Sequence, residues 1–412
     1  MATSRLQSVV SQFIPGVKPL DKIQQKNPDD VVITLAIRTP LTRARKGGFK
    51  DTQLDGILFK LLEQVNQRSN LSPALVEDIC VGNVNDPKAA YYARAAALAA
   101  GYPVTTSAST VNRFCSSGLK AVQDIANAIT LGSIEIGLAV GAESMTDQAP
   151  PFRAFADEIM AANQDAVDCL MPMGQTSENV GKDFNITRDL QDRYAAESYR
   201  RAEVAQKAGW FDDEIVPITV TQEDGKQYTL TKDEGPRWGT TFESLSKIRP
   251  AFPDFGDKST GGNSSQVTDG AAAVLLMKRS KALELGQPIM AKFVGATVAG
   301  LPPRIMGIGP SVAVPKLLAQ HNLSVDDIDL FELNEAFASM AVYCRDTLKI
   351  DWEKMNVRGG AIALGHPLGA TGARQIVTGL SEARRRKAKV LVTTMCIGTG
   401  QGMAGLFVNE QL

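Results

Sequence analysis

The sequence has almost no net charge, no long apolar run and no paired cysteine motif. Its 44 Lys and Arg residues balance 45 Asp and Glu residues, so no overall basic field would attract nucleic acid or an acidic membrane. No apolar stretch reaches the roughly 18 residues that a membrane span requires. The five cysteines are widely spaced, without a Cys-x-x-Cys pair, which indicates free thiols in a reducing compartment rather than a disulfide framework or a zinc site.

The pattern that is present indicates a folded α/β chain with an internal duplication. Its 412 residues, 44% of them hydrophobic, suffice for two or three domains. Cys115 follows Asn83 by 32 residues, and His366 follows Asn334 by 32 residues. Similar apolar strands and helices surround both intervals, at residues 31–36, 119–129, 289–296 and 372–380. The sequence therefore predicts duplicated α/β halves whose loops converge on an active site at their interface.

Residues 148–267 have no counterpart in the second half. They contain a polar helical pattern at residues 188–207 and several turn-rich, glycine-containing stretches. We expect an inserted loop domain that lies over the site and holds a substrate. A solvated structural excursion is the alternative.

Cys115 lies among small residues just before a predicted buried helix. Leu119, Val122, Ile125 and Ile129 have helical spacing. The free amides and dipole of a helix N-terminus favour a thiolate, which is the nucleophilic form of cysteine. A buried structural thiol is the alternative, because cysteine is among the most often buried residues. The small-residue context and a distant histidine favour a nucleophile with a base.

One of only two histidines, His366, lies in the glycine-rich run 359–367. An unperturbed pKa near neutrality and a rigid, sterically open Gly-His-Pro turn predict a general base, and an ordinary loop histidine is the alternative. The other histidine, His321, falls at a predicted helix end and is expected to be surface structure.

Two further segments place polar groups at turns. Cys396 ends an apolar strand and precedes a glycine-rich bend, a position expected to expose the thiol and leave amides free for an oxyanion. Asn334 follows a predicted strand at residues 328–332. It presents an amide at a strand-to-helix turn, where it could equally serve as a helix cap.

Residues 112–119, 334–338, 359–367 and 396–400 resemble, in the same order, the four signature segments of the thiolase family. The resemblance covers about residues 30–410 and implies that family's five-layer αβαβα fold. The expected divisions are an N-terminal half at 29–147 and 268–287, a loop domain at 148–267 and a C-terminal half at 288–412. Residues 171–174 and 247–252 are most similar to the degradative 3-ketoacyl-CoA thiolase branch, in particular its peroxisomal members.

The resemblance also implies roles for the site residues. Cys115 would be the nucleophile, His366 would take its proton, and the amides of Cys115 and Gly398 would hold the oxyanion. Cleavage of the 3-ketoacyl-CoA would release the enolate of acetyl-CoA. Cys396 would protonate the enolate carbon and later deprotonate the incoming CoA, while Asn334 would hold a water that donates to the enolate oxygen. CoA would be a co-substrate, no cofactor or metal would be bound, and the enzyme would form a homodimer.

Three residues are expected to contact CoA. Ser265 corresponds to a residue on the pantetheine arm, although it could simply cap a turn, and Met173 lies in the segment expected to line that arm. Arg237 corresponds to a residue near the adenine and phosphates, where an arginine can stack and carry charge.

Other activities fit less well. A biosynthetic acetoacetyl-CoA thiolase would use the same residues in the reverse direction. A decarboxylating β-ketoacyl synthase needs a second active-site histidine, and His321 is badly placed for that role. A non-catalytic lipid-transfer or binding protein on this scaffold would be expected to lack Cys115 or His366, and both are present.

Residues 1–28 precede the first half and are expected to be a targeting segment. Within them, Arg5 and Leu6 are followed, after five intervening residues, by Gln12 and Phe13. This pattern is similar to the N-terminal peroxisomal address and implies a peroxisomal import receptor as a partner. A mitochondrial presequence is the competing address, because no acidic residue precedes Asp21.

Overall fold

The computed structural model describes residues 18–147 and 154–411, so the peroxisomal address predicted at residues 5–13 lies outside the described residues. The strands are β1 Val31–Arg38, β2 Thr42–Arg43, β3 Asp78–Gly82, β4 Ser107–Val111, β5 Ile136–Glu143, β6 Ile218–Thr221, β7 Gln227–Leu230, β8 Thr268–Lys278, β9 Ala291–Gly300, β10 Leu330–Leu333, β11 Val390–Ile397 and β12 Gln401–Asn409.

The helices lie before and between these strands in the sequence. They are α1 Pro19–Gln24, α2 Leu54–Ser69, α3 Ala89–Ala99, α4 Ser117–Leu131, α5 Asp157–Ala162, α6 Gln164–Asp168, α7 Met173–Asp183, α8 Arg188–Lys207, α9 Phe242–Leu245, α10 Arg279–Glu284, α11 Gly309–Gln320, α12 Ala338–Leu348, α13 Ala361–Leu364 and α14 Thr371–Arg386. Short 3-10 turns occur at Pro73–Leu75, Pro303–Ile308, Val325–Asp327 and Trp352–Lys354. None of the helices described is long and apolar enough to cross a membrane.

The strand pairing confirms the predicted duplication. The first half has the order β1-β8-β5-β3-β4, and the second half has the order β9-β12-β11-β10. In both halves two antiparallel pairings are followed by a parallel one. The place of β4 is taken in the second half by a single parallel bridge between Phe331 and Met355. A short pairing of β1 with β9 joins the two halves.

Apolar side chains divide the molecule into five layers. Helices α2 and α3 cover the outer face of the first half-sheet. Helices α4 and α14 are buried between the two half-sheets, and α11 and α12 cover the outer face of the second. The predicted αβαβα arrangement is therefore confirmed.

The two central helices cross at glycines. A Cβ on Gly118 of α4 would lie 2.7 Å from the amide nitrogen of Ala373 and 2.8 Å from the carbonyl oxygen of Gly369. A Cβ on Gly372 of α14 would lie even closer to the amide nitrogen of Leu119. Because any side chain here would separate the helices, these glycines bring the turns that precede α4 and α14 together.

The segment between β5 and β8 is tied to both halves by buried charges. Arg38 of β1 forms ion pairs with Glu214 at 2.6 Å and with Asp233 at 2.7 Å, and Glu214 also pairs with Arg358 at 3.1 Å. Its longest helix, α8, has the predicted bounds of 188–207 and begins where Thr187 accepts a hydrogen bond from the amide of Leu190. Glu214 therefore joins this segment to both halves.

Candidate active site

The predicted nucleophile lies in a sharp turn between β4 and α4. Phe114, directly before Cys115, has a φ of 46°, a left-handed conformation that a bulky residue rarely adopts. Two hydrogen bonds hold it there, because Asn112 Oδ1 accepts from the Phe114 amide at 2.9 Å and Ser117 Oγ donates to the Phe114 carbonyl at 2.6 Å. The turn therefore fixes the backbone on which the Cys115 thiol stands.

Burial keeps the Cys115 thiol protonated. The side chain is 8% exposed, and burial raises its pKa to about 11. The amides of Gly398 and of Cys115 itself act on the sulfur and lower the pKa, while the Glu143 carboxylate raises it. The expectation of a thiolate stabilised by the helix N-terminus is wrong for the resting site, because loss of water outweighs the nearby amides.

The glycine bend after β11 packs against the nucleophile turn. Residues 398–400 join β11 to β12, with φ of 70° at Thr399 and 84° at Gly400. A Cβ on Gly398 would lie 3.6 Å from the Phe114 ring, and Arg113 donates to Gln401 Oε1 at 3.1 Å. The amide of Gly398 acts on the Cys115 sulfur as a hydrogen-bond donor, and a donor at this place is what the predicted oxyanion site needs.

Cys396 lies near Cys115 but is not exposed. Its side chain is 1% exposed, because all eight residues of β11 are buried. Burial, followed by the neighbouring Cys115 and Cys344, raises its pKa well above the ordinary value. The prediction of an exposed thiol is therefore wrong, whereas the association of two cysteines at one site is present.

His366 is held as one tautomer of the neutral ring. Its Nδ1 lies 2.6 Å from Thr371 Oγ1, and that hydroxyl donates its only proton to the Pro367 carbonyl at 3.0 Å. Nδ1 must therefore carry the hydrogen, which leaves the lone pair on Nε2. Burial, followed by the charge of Arg374, lowers the histidine pKa to about 3, so the ring is an unprotonated base at neutral pH. Nothing in the spacing of the sequence points to Thr371.

Asn334 faces the free nitrogen of this ring. Its Nδ2 donates to His366 Nε2 at 3.3 Å, and its buried Oδ1 has no partner among the described residues. Phe337, and not Asn334, is the N-cap residue of α12, so the capping alternative is wrong. The asparagine is left with an oxygen that can accept a hydrogen bond from a water or a substrate.

Backbone hydrogen bonds join the predicted segments into one site. The Asn334 amide donates to the Thr394 carbonyl at 2.9 Å, two residues before Cys396. The Ser265 amide donates to Ala336 at 3.0 Å, and the His366 amide donates to Gln266 at 2.9 Å. The end of the inserted segment thus lies between the asparagine and histidine loops.

A buried acid next to Asn334 was not among the predicted residues. Glu335 accepts hydrogen bonds from Tyr194 at 3.0 Å and Ser198 at 2.6 Å, both on α8. It also accepts from the amide of Ile362 at 3.2 Å. Glu335 thereby ties α8 to the loops that carry Asn334 and His366.

The three residues predicted to bind CoA differ in their exposure and in their contacts. Ser265 is half-buried beside the asparagine loop, Met173 is 38% exposed at the start of α7, and Arg237 is exposed next to Trp238. His321 lies at the end of α11, close to Gly295 and outside this site. Of these three residues, only Ser265 has a described backbone hydrogen bond to the loop that carries Asn334.

A thiol nucleophile with directed amides and a neutral imidazole in a duplicated α/β fold is suited to acyl transfer through a thioester. The chain belongs to the thiolase family. It matches the family model described as "Thiolase, N-terminal domain" over residues 31–280 and "Thiolase, C-terminal domain" over residues 287–409.

Individual relatives cover almost the whole chain. The peroxisomal 3-ketoacyl-CoA thiolase of Yarrowia lipolytica is 50% identical over 98% of this chain and 100% of its own. The crystal structure of the dimeric peroxisomal thiolase of Saccharomyces cerevisiae superposes with a TM-score of 0.90 and 46% identity, covering 95% of this chain and 100% of that one. Human mitochondrial 3-ketoacyl-CoA thiolase in complex with CoA has a TM-score of 0.83 and 35% identity, over 92% and 98% of the two chains.

Proposed function

We propose that the protein is a degradative 3-ketoacyl-CoA thiolase, which uses free CoA to cleave a 3-ketoacyl-CoA into acetyl-CoA and a shortened acyl-CoA in fatty acid β-oxidation. The main support for this function is that the Gly398 amide and the Cys396 thiol both lie near Cys115. The relatives named as peroxisomal 3-ketoacyl-CoA thiolases support the degradative over the biosynthetic direction.

The first half-reaction transfers the acyl group to the enzyme. His366 Nε2 removes the Cys115 proton as the sulfur attacks the 3-keto carbon, because both groups start neutral. The keto oxygen becomes an oxyanion that accepts from the amides of Cys115 and Gly398. The bond between carbons 2 and 3 then breaks, and its electron pair forms the acetyl-CoA enolate. Asn334 holds a water at the enolate oxygen, and Cys396 protonates the enolate carbon.

The second half-reaction returns every proton. The Cys396 thiolate removes the proton of an incoming CoA thiol, and the CoA sulfur attacks the acyl thioester on Cys115. The Cys115 sulfur leaves and recovers its proton from the His366 imidazolium. Acid and base roles are thus divided between two groups, each of which ends in its starting state.

CoA itself is a co-substrate that enters from the surface. Ser265 and Met173 contact the pantetheine arm, and Arg237 binds the adenine and phosphate end. The half-buried Ser265 and the exposed Met173 and Arg237 support this order from the site outward. We assign residues 29–147 and 268–287 to the N-terminal half, 148–267 to the loop domain and 288–412 to the C-terminal half.

The assembly and location follow those of the relatives. The protein is a peroxisomal homodimer, and residues 1–28 form the targeting segment that an import receptor recognises. Two observations support the dimer: the dimeric yeast relative, and strand β4, whose outer edge pairs with no strand in residues 18–147 or 154–411.

Thiolysis of acetoacetyl-CoA and of a long-chain 3-ketoacyl-CoA tests this function. Loss of the ketoacyl-CoA absorbance is followed with free CoA for the wild type and Cys115→Ala, with Cys169→Ala as the cysteine control outside the site. We expect faster cleavage of the long substrate, an inactive Cys115→Ala and an active Cys169→Ala. Activity on acetoacetyl-CoA alone would point to the biosynthetic branch, and an active Cys115→Ala would refute the mechanism.

A further inference from the structure

A buried carboxylate outside the four signature segments lies against the catalytic loops. Glu143 is the last residue of β5 and is completely buried. Its Oε2 accepts hydrogen bonds from the amides of Gly369 at 2.8 Å and Val84 at 3.0 Å. Its Oε1 accepts from Asn83 Nδ2 at 3.0 Å and from the Asn85 amide at 3.1 Å. One side chain therefore joins the loop after β3 to the loop after His366.

The loop after His366 packs closely against the first half at Gly369. Gly369 lies between His366 and Thr371, and a Cβ on it would be 2.6 Å from the Gly82 carbonyl oxygen and 2.7 Å from Asn83 Cα. The glycine thus lies in a gap of the first half that admits no side chain. Because Glu143 binds the amide of that same glycine, it fixes the histidine loop of the second half against the first half.

The same carboxylate acts on the nucleophile. Its negative charge raises the pKa of Cys115. The four donors that face Glu143, from the loop after β3 and from Gly369, are neutral. Cys115 lies in the turn before α4. Asp86 and Asp147 line a small cavity beside these loops. Burial raises the pKa of Glu143 to about 7 in spite of its hydrogen bonds, so its charge changes near neutral pH.

We propose that Glu143 is a positioning residue for thiolysis, which fixes the His366 loop against the Asn83 loop. This inference rests on the proposed function, because it takes Cys115 as the nucleophile and His366 as its base. Neither residue is touched by Glu143 through a hydrogen bond, so its effect passes through the Gly369 amide and through space.

Two substitutions separate the hydrogen bonds from the charge. Glu143→Gln keeps the shape but turns an NH2 group towards donors and removes the negative charge. Glu143→Asp keeps the charge but withdraws it from Gly369. Glu178→Gln is a matched control, because Glu178 is also buried and accepts from the Lys258 and Ser259 amides at 3.1 and 2.6 Å.

The decisive readout is the pH dependence of Cys115 alkylation by iodoacetamide, resolved by peptide mass spectrometry, together with kcat. Glu143→Gln should lower the alkylation midpoint by about 0.5 to 1 pH unit, because a carboxylate near a thiol raises its pKa. Both Glu143 variants should lose about 10- to 100-fold in kcat, as small misplacements of reacting groups do. Glu143→Asp and Glu178→Gln should keep the wild-type midpoint.

An unchanged kcat in both folded Glu143 variants would overturn the positioning role, and an unchanged midpoint in folded Glu143→Gln would overturn an electrostatic link between Glu143 and Cys115. Thermal melts identify the folded variants, to which both comparisons are restricted. Alkylation requires no thiolysis. If the wild type does not cleave 3-ketoacyl-CoA, the proposed function fails independently of the midpoint result.

Discussion

The Nδ1 atom of His366 lies 2.6 Å from the Thr371 hydroxyl, which itself donates to the Pro367 carbonyl. This pair makes the first residue of α14 the group that selects the histidine tautomer. It leaves the basic nitrogen, Nε2, on the side of Asn334. The proposed base is thus oriented by a helix of the central layer rather than by a second charged group.

Replacing Thr371 should therefore impair His366 as a base without leaving a cavity in the site. Thr371→Val keeps the shape and removes the acceptor for Nδ1–H, so we expect kcat to fall by about 10- to 100-fold, part of what a general base contributes. Thr371→Ser should restore most of the activity. Thr130→Val is the control, because Thr130 makes the same bond to the carbonyl four residues earlier on α4. Steady-state thiolysis checks both, and equal activity of Thr371→Val and wild type would contradict the tautomer role.

Asn334 should contribute mainly after carbon-carbon cleavage begins. Asn334→Ala removes the donor to Nε2 and the water-binding oxygen, and a lost oxyanion contact lowers kcat by about 10²–10³-fold. Asn334→Asp puts a carboxylate against Nε2, which would favour the imidazolium and raise the pKa of His366. As the pH falls, this variant should lose activity at a higher pH than the wild type. The pH profiles of kcat check both variants. An Asn334→Asp profile that coincides with the wild-type profile would contradict the contact.

Alanine substitutions at the two glycines of the bend should differ in their effect on the stability of the protein. A Cβ on Gly398 meets only the Phe114 ring at 3.6 Å, an ordinary contact. Gly400 has a φ of 84°, and a Cβ there would contact Pro303 backbone atoms at 2.7 to 2.8 Å. We expect Gly398→Ala to keep nearly the free energy of unfolding of the wild type. Gly400→Ala should lose about 1–3 kcal/mol or more of that free energy. Denaturant unfolding checks this, and equal stabilities would contradict the described bend.

Acid should destabilise the fold through His366. A histidine pKa near 3 in the folded chain, against about 6.5 when unfolded, means that the unfolded chain binds the extra proton between those values. Stability is therefore present above about pH 6.5 and is lost as the pH falls towards 3. Between pH 6 and 5 the wild type should lose up to about 1.4 kcal/mol per pH unit more than His366→Asn. Parallel stability curves from denaturant titrations would contradict a buried neutral ring.

Periodicity in the sequence predicted the elements and the duplication. The polar helical pattern at residues 188–207 located α8 at its observed bounds. The equal intervals from Asn83 to Cys115 and from Asn334 to His366 placed two turns before the paired central helices. Such patterns are local, because the residue repeat of a strand or a helix is visible in the sequence itself.

Burial and long-range pairing were not predictable in this way. Cys396 was expected to be exposed, yet α11 and α12, distant in sequence, help cover its face of β11. The Cys115 thiolate was expected from a helix end, yet burial dominates its pKa. Thr371 bonds within a turn, Glu335 bonds the inserted segment and Glu143 bonds across the two halves. Such contacts leave no periodic signal in one sequence.

The central claim is that the acyl group passes through Cys115. The enzyme is mixed with a long-chain 3-ketoacyl-CoA in the absence of free CoA, quenched in acid and digested for mass spectrometry. We expect one acyl group on the Cys115 peptide, together with a matching amount of acetyl-CoA, and neither from Cys115→Ala. An acyl group on Cys396, or acetyl-CoA release with no protein adduct, would contradict the account.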